Sequence, residues 1–153
     1  MIPLIIPRAK HPISRKNIDE EALKVLYRLH HHGFLAYLVG GSVRDLLLGK
    51  IPKDFDVATN AHPHEINGLF KNSRIVGRRF RLVHVFFKGE KIIEVSTFRS
   101  RSEFEEVETE EGETIRKESF GTPAEDAFRR DITINGLFYN IADFSIIDYV
   151  DGM

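Results

Sequence analysis

The sequence has no cysteine and no tryptophan. The missing cysteine excludes thiol nucleophiles, cysteine-based zinc sites and disulfide scaffolds. Long apolar runs are missing too, since the longest fall far short of the ~20 residues a membrane-spanning helix needs. The opening Met1-Ile-Pro-Leu-Ile-Ile-Pro7 is broken by Pro3 and Pro7 and has no basic n-region, so it does not read as a secretory signal. Cytoplasm is the expected compartment, with no membrane partner. A Gly-x4-Gly-Lys-Ser/Thr sequence is absent, which leaves a P-loop ATPase without support. Net charge is also scarce, at -1. That near-neutrality is an average: residues 1–99 carry +8, residues 100–120 carry -5 and residues 121–153 carry -4. A basic body is followed by an acidic insert, so a polyanionic partner is not excluded.

What is present describes one ordinary domain. The chain has 153 residues, 42% of them apolar, enough to enclose a core without staples. Asn17 or Asp19 can cap an amphipathic helix whose Ala22, Val25, Leu26 and Leu29 recur at helical spacing, with Gly33 as its stop. A strand is predicted over 34–39. Gly40-Gly41 then turns the chain, and Ser42 can cap a short helix through Leu48. A strand is expected over 54–59, a helix over 60–72, and two strands over 81–87 and 91–98 joined through Lys88-Gly-Glu90. Residues 100–120 have little apolar content and no sustained period, so they are expected to be a mobile excursion. Thr122, Pro123 and Glu125 announce a capped helix that reaches Asp131 and extends as far as Phe138. A last strand is expected over 146–150. Mixed strands with peripheral helices give an α/β or α+β class.

The chemistry-bearing residues cluster around the glycine turn. Asp54 and Asp56 flank Phe55, so strand periodicity puts both carboxylates on one face, a natural site for hard cations. Gly40-Gly41-Ser-Val-Arg44 opens a helix, which offers backbone N–H groups and an arginine to a phosphate; the bland alternative has Arg44 merely pairing with Asp45. Together the two features set a triphosphate beside metal-binding carboxylates, the arrangement expected for phosphoryl or nucleotidyl transfer. Glu94 and Asp131 compete for a third carboxylate. Lys50, Lys53, Arg74, Arg78, Arg79 and Arg81 are candidates for tracking an RNA backbone. His30 to His32, His62 and His64 lack carboxylate or thiol companions at ligand spacing and read as surface residues, with His84, inside a strand, as structural rather than catalytic.

Three segments in order, Leu38-Val-Gly-Gly-Ser-Val-Arg-Asp-Leu-Leu-Leu-Gly49, Lys53-Asp-Phe-Asp-Val-Ala-Thr59 and Glu125-Asp-Ala-Phe-Arg-Arg-Asp-Ile-Thr-Ile-Asn135, resemble the catalytic head of the class II tRNA nucleotidyltransferase and bacterial poly(A) polymerase family. The resemblance covers residues from about 6 to 153. His11-Pro-Ile-Ser-Arg15, the stretch from Val76 to Val85 and the stretch from Ala142 to Val150 look most like the bacterial poly(A) polymerases within it. The resemblance implies a DNA polymerase beta-like head, with a mixed sheet flanked by helices, occupying residues 1–153 and normally followed by helical neck, body and tail regions. It also implies two Mg²⁺ ions on Asp54 and Asp56, and Asp131 as the third acidic position. Gly41, Arg44 and Arg130, with Gly40 and Arg129 beside them, fall where the family binds the nucleoside triphosphate. The implied activity is addition of AMP from ATP to an RNA 3′ end, in mRNA or tRNA, with release of pyrophosphate. CCA or A addition to tRNA is the alternative within the family, and a non-catalytic RNA- or nucleotide-binding module the alternative of another class.

Overall fold

A computed structural model of the chain describes residues 3–78, 81–108, 114–129 and 136–149, the side chains of 100–108, 114–119 and 128–129 excepted. Strands β1 (Leu4–Ile6), β2 (Ala36–Val39), β3 (Asp56–Thr59), β4 (Ser73–Val76), β5 (Leu82–Phe87), β6 (Lys91–Thr97), β9 (Leu137–Asn140) and β10 (Ile146–Asp148) form one sheet in the order β1-β10-β9-β2-β3-β6-β5-β4. Its pairings are antiparallel except β3 with β6, which run parallel. The mixed sheet expected from the sequence is therefore observed. Strands β7 (Arg99–Glu108) and β8 (Thr114–Phe120) form a separate antiparallel pair.

The helices are α1 (Glu20–His31), α2 (Gly41–Leu47), α3 (Pro63–Leu69) and α4 (Pro123–Arg129). Helix α1 starts where the sequence indicates: the Asp19 carboxylate accepts from the Glu21 amide at 2.9 Å, satisfying a donor that the first turn leaves open. It ends ahead of Gly33, whose φ of +86° no β-carbon residue adopts without strain. The buried stripe Ala22, Val25, Leu26 and Leu29 meets Leu38, Val57, Val83, Val85, Ile93 and Val95 from one face of the sheet. Helix α3 contributes Ile66 to the same layer. On the opposite face a second cluster joins Tyr37, Val39, Ala58, Phe98, Ala127, Phe138 and Ile147. Its aromatic rings stack, Tyr37 against Phe138 at 5.5 Å between centroids and Phe98 against Phe138 at 6.0 Å. This cluster seats α4. The helix begins with a reciprocal cap, in which the Glu125 amide donates to Thr122 Oγ1 and the Thr122 amide to Glu125 Oε1, both at 3.2 Å. Buried Asp126 accepts from the Arg99 amide at 3.1 Å, fixing α4 to the start of β7.

The N-terminal segment is held by His11. Its Nδ1 accepts from the Ile13 amide at 3.1 Å while Nε2 meets the Phe144 carbonyl at 2.7 Å, a carbonyl that can only accept and so assigns the ring proton to Nε2. Arg15 lies 4.2 Å over the Phe144 ring and donates to the Tyr27 hydroxyl at 2.9 Å.

Several expected elements come out differently. Residues 100–108 and 114–120, expected to belong to an excursion without regular structure, are instead paired as β7 and β8, with 109–113 outside the described residues. Their register sets Glu105 opposite Lys117 and Glu106 opposite Arg116, so unlike charges alternate across a ladder that needs little apolar content. The helix expected to continue to Phe138 gives way to β9, where Tyr139 faces the first cluster and Phe138 the second, a period of two. Ser42 does not cap α2: Gly40 occupies that position and Ser42 Oγ donates to the Val39 carbonyl at 2.9 Å. Asp54 lies ahead of β3, which starts at Asp56, and the helix expected over 60–72 shortens to α3 and is followed by β4.

Burial pushes the phenols of Tyr37 and Tyr139 up from 10.0 to about 12. An acid whose folded value is raised binds its proton more tightly when folded, so stability falls as pH climbs from 10 towards 12. The expected loss is about 1.4 kcal/mol per tyrosine for each pH unit in that window. Absorbance at 295 nm against pH, together with urea melts at pH 9 and 11, checks this: two phenols should ionise only near about 12 or on unfolding.

Candidate active site

The site forms where β2 hands over to α2. Gly40 bears φ +71° and ψ -144°, a backbone region open essentially to glycine alone, and it lets the chain reverse directly into the helix. Its carbonyl accepts from the Val43 amide at 3.2 Å, while Val43 and Leu46 sink into the core and hold the short helix against the sheet. A β-carbon on Gly40 would lie 3.9 Å from Asp56 Oδ2, so the turn lies directly alongside that carboxylate. The reason is register: Val39, the last residue of β2, is the antiparallel partner of Asp56, the first of β3.

Asp54 is exposed, Phe55 buried and Asp56 half-buried. The alternation anticipated from the sequence persists although only Asp56 is in the strand. Arg44 reaches back over the turn, with Nη2 3.1 Å from the position of a β-carbon on Gly41, while Nε meets Asp45 Oδ1 at 3.3 Å. The local pair with Asp45 and the guanidinium over the glycine turn therefore coexist. An exposed and a half-buried carboxylate beside a turn that carries a guanidinium suit a hard cation and a polyphosphate together.

Glu94 occupies the parallel register position beside Asp56 across β3 and β6. His84 faces Glu94 in turn, its Nε2 3.8 Å from Glu94 Oε1, and Arg74 is the register partner of His84. Nothing in the local spacing joins His84 to this row, because the joining is done by pairing between separate strands. Among the described residues no three acidic or imidazole groups already converge into a metal-holding cluster. Asp131 and Arg130 lie outside the described residues, as does the Arg129 side chain. Helix α4 nevertheless ends at Arg129 on the Asp56 side of the sheet: its Ala127 packs with Ala58, two residues beyond Asp56 and on the same face. Lys50 and Lys53 are exposed in the connection between α2 and β3.

A mixed sheet with a glycine turn abutting an Asp-x-Asp strand end is the architecture of a nucleotidyltransferase head. Structural likeness agrees, with a TM-score of 0.67 to the crystal structure of a Bacillus stearothermophilus CCA-adding enzyme in complex with CTP, 36% identical and covering 87% of this chain and 30% of that one. Residues 36–153 match the Poly A polymerase head domain, and the chain belongs to that family. It is 59% identical over 155 aligned positions to Poly(A) polymerase I of Salmonella typhi, an alignment covering 97% of this chain and 33% of the relative. A tRNA nucleotidyltransferase complexed with a primer tRNA and an incoming ATP analog is 28% identical, with a TM-score of 0.60 over 84% of this chain and 35% of that one. The chain thus spans about one third of the length of the curated relatives it matches. Among the described residues no helix is long and apolar enough to cross a membrane.

Proposed function

We propose that this chain is the catalytic head of an RNA nucleotidyltransferase that adds AMP from ATP to RNA 3′ ends without a template. The observation that carries the reading is the abutment of the Gly40 turn on Asp56, which brings a phosphate-binding element against a metal-binding carboxylate. The likeness to Poly(A) polymerase I supports adenylate as the nucleotide transferred. In this reading Asp54 and Asp56 hold two Mg²⁺ ions through hard carboxylate oxygens, and Asp131 supplies the third acidic group, with Glu94 as its geometric rival. Bound magnesium supplies charge neutralisation at the triphosphate and acidifies the attacking hydroxyl. Gly40 and Gly41 let the phosphates approach the backbone closely. Arg44, Arg129 and Arg130 balance their charge. The RNA 3′-oxygen bonds to the α-phosphorus, the bond from that phosphorus to the bridging oxygen breaks, and pyrophosphate leaves. The hydroxyl proton passes to a site carboxylate or to water, and no covalent enzyme intermediate is needed.

CCA addition to tRNA is the second reading, favoured by the likeness to the enzyme bound to CTP. The two differ in nucleotide choice. The whole protein carrying this chain, incubated with labelled ATP or CTP and either oligoadenylate or tRNA lacking its CCA end, is expected to extend oligoadenylate processively with ATP and to incorporate little CTP. Efficient CTP incorporation onto tRNA would overturn the poly(A) reading. A cytoplasmic location belongs to the same proposal.

A further inference from the structure

The sheet face that carries Asp56 continues along β6, β5 and β4 beyond the candidate site. Along β5 and β6 the residues sharing that face are Leu82, His84 and Phe86, and Ile92, Glu94 and Ser96, as the pairings Leu82 with Ser96, His84 with Glu94 and Phe86 with Ile92 require. Helices α1 and α3 pack on the other face, where Val83, Val85, Ile93 and Val95 are buried among them. Among the described residues, α4 covers the β2, β3 and β9 end of the Asp56 face, through Tyr37, Ala58 and Phe138. The continuation carries large apolar side chains that are exposed among the described residues. Phe86 is 39% exposed and Ile92 44% exposed. His84 stands edge-on to Phe86, with the ring planes at 85° and the centroids 6.4 Å apart, so two π-systems stand together on the face.

We propose that this face seats the terminal bases of the RNA acceptor, with Phe86 and Ile92 as the stacking surface and Arg74 as a contact for the backbone phosphate. The inference rests on the nucleotidyltransferase reading and adds the path of the second substrate. Three observations select single-stranded RNA as the occupant. First, the surface is continuous with the site. From Asp56 the register runs through Glu94 and His84 to Arg74, three strand spacings or about 14 Å, so an acceptor lying along that row ends at the carboxylates. Second, the chemistry changes along the row from acidic to aromatic to basic. A 3′-hydroxyl belongs beside the carboxylates, bases on the rings, and a phosphodiester at exposed Arg74. Third, stacking on a ring face accepts every base, the property an enzyme needs when each added nucleotide becomes the next acceptor end. Phe86 and Ile92 form the same-face pair next to that of His84 and Glu94 on the side from which the chain enters β3, so the stacked base adjoins the level of Asp54.

The test uses the whole protein carrying this chain, with an oligoadenylate acceptor and ATP. Phe86→Ala is expected to raise KM for the acceptor about tenfold, as loss of one stacked base does, with KM for ATP and kcat at saturating acceptor within about twofold. Phe86→Tyr should restore the acceptor KM. Arg74→Ala should raise it too and flatten its dependence on salt. An acceptor carrying 4-thiouridine next to its 3′ end should photocrosslink to the peptide containing His84 and Phe86. An unchanged acceptor KM in Phe86→Ala, or a crosslink only to peptides elsewhere, overturns the proposal. So does an equal rise in the KM for ATP, which would make the face part of the nucleotide site. A fall in Tm beyond about 5 °C in Phe86→Ala, with acceptor KM restored by Phe86→Leu as fully as by Phe86→Tyr, would make it a packing surface for another part of the protein and sinks the proposal as well. Failure of the adenylate reading looks different: CTP would replace ATP while acceptor KM still depended on Phe86.

Discussion

Substituting Asp54 by Ala is expected to reduce adenylate transfer by the whole protein on the order of 10³-fold or more, while stability moves by no more than about 0.5 kcal/mol. The two halves of that expectation have separate grounds. Asp54 is exposed ahead of β3 and no hydrogen bond or ion pair is seen for it among the described residues, so its removal is expected to leave the fold as it was. Its carboxylate is nonetheless one of the groups assigned to the metal ions, and losing it weakens their hold and misplaces the attacking oxygen. Asp56 calls for a gentler substitution, because it is half-buried against the Gly40 turn. Asp56→Asn preserves its shape and should depress transfer to a similar extent. Initial rates of ATP incorporation across a range of Mg²⁺ concentrations, with thermal melts alongside, check both variants. Near-normal turnover in Asp54→Ala at any magnesium concentration would remove these carboxylates from the chemistry.

The second large effect is expected at Gly40. A side chain there meets nothing closer than 3.9 Å, so space is not the obstacle. The obstacle is the backbone: φ +71° with ψ -144° costs a residue with a β-carbon about 1–3 kcal/mol. The protein can relieve that strain only by rotating the turn, which moves α2 and Arg44 relative to Asp56. Gly40→Ala is therefore expected to lower Tm by several degrees and to lower transfer about 10- to 100-fold, the scale that small misplacements of reacting groups produce. Gly49→Ala is the control. It too has positive φ, +74°, with nothing within 4 Å, but it lies past the far end of α2. It should lose stability and keep its activity. Parallel losses of activity in the two variants would make the Gly40 effect one of stability alone.

What could be read from the chain was whatever a few neighbouring residues decide. Asp19 and the Thr122–Glu125 pair satisfy helix amides within their own turns, so the starts of α1 and α4 follow directly from residue types. The glycine turn and the alternation about Phe55 are equally local. Elements whose identity depends on distant partners were not legible in the same way. The run from Gly136 to Tyr139 suits a helix or a strand, and pairing with β2 and β10 makes it a strand. Ser73–Val76 needed β5 beside it. The hairpin of β7 and β8 hid behind its charge, although the acids of one strand and the bases of the other were complementary in the sequence all along. Within the candidate site, the nearness of the glycine turn to the Asp-x-Asp strand end was legible from spacing, but the alignment of Glu94, His84 and Arg74 was not, since residues on three different strands share a row only once the sheet exists.

The parallel contact between β3 and β6 also dictates when the site can exist. Parallel neighbours cannot be joined by a tight turn, and here the connection runs through α3, β4 and β5 before β6 returns beside β3. Closing that circuit costs chain entropy before any contact across it is gained. The Gly40 turn and Asp56 belong to a strand pair that forms over a short stretch of chain, whereas Glu94 arrives only with the whole circuit. A chain emerging during synthesis would thus bring its glycine turn beside Asp56 early, and set Glu94 beside Asp56 only after β6, which ends at Thr97, has been made. The order in which these two carboxylates come together is set by topology.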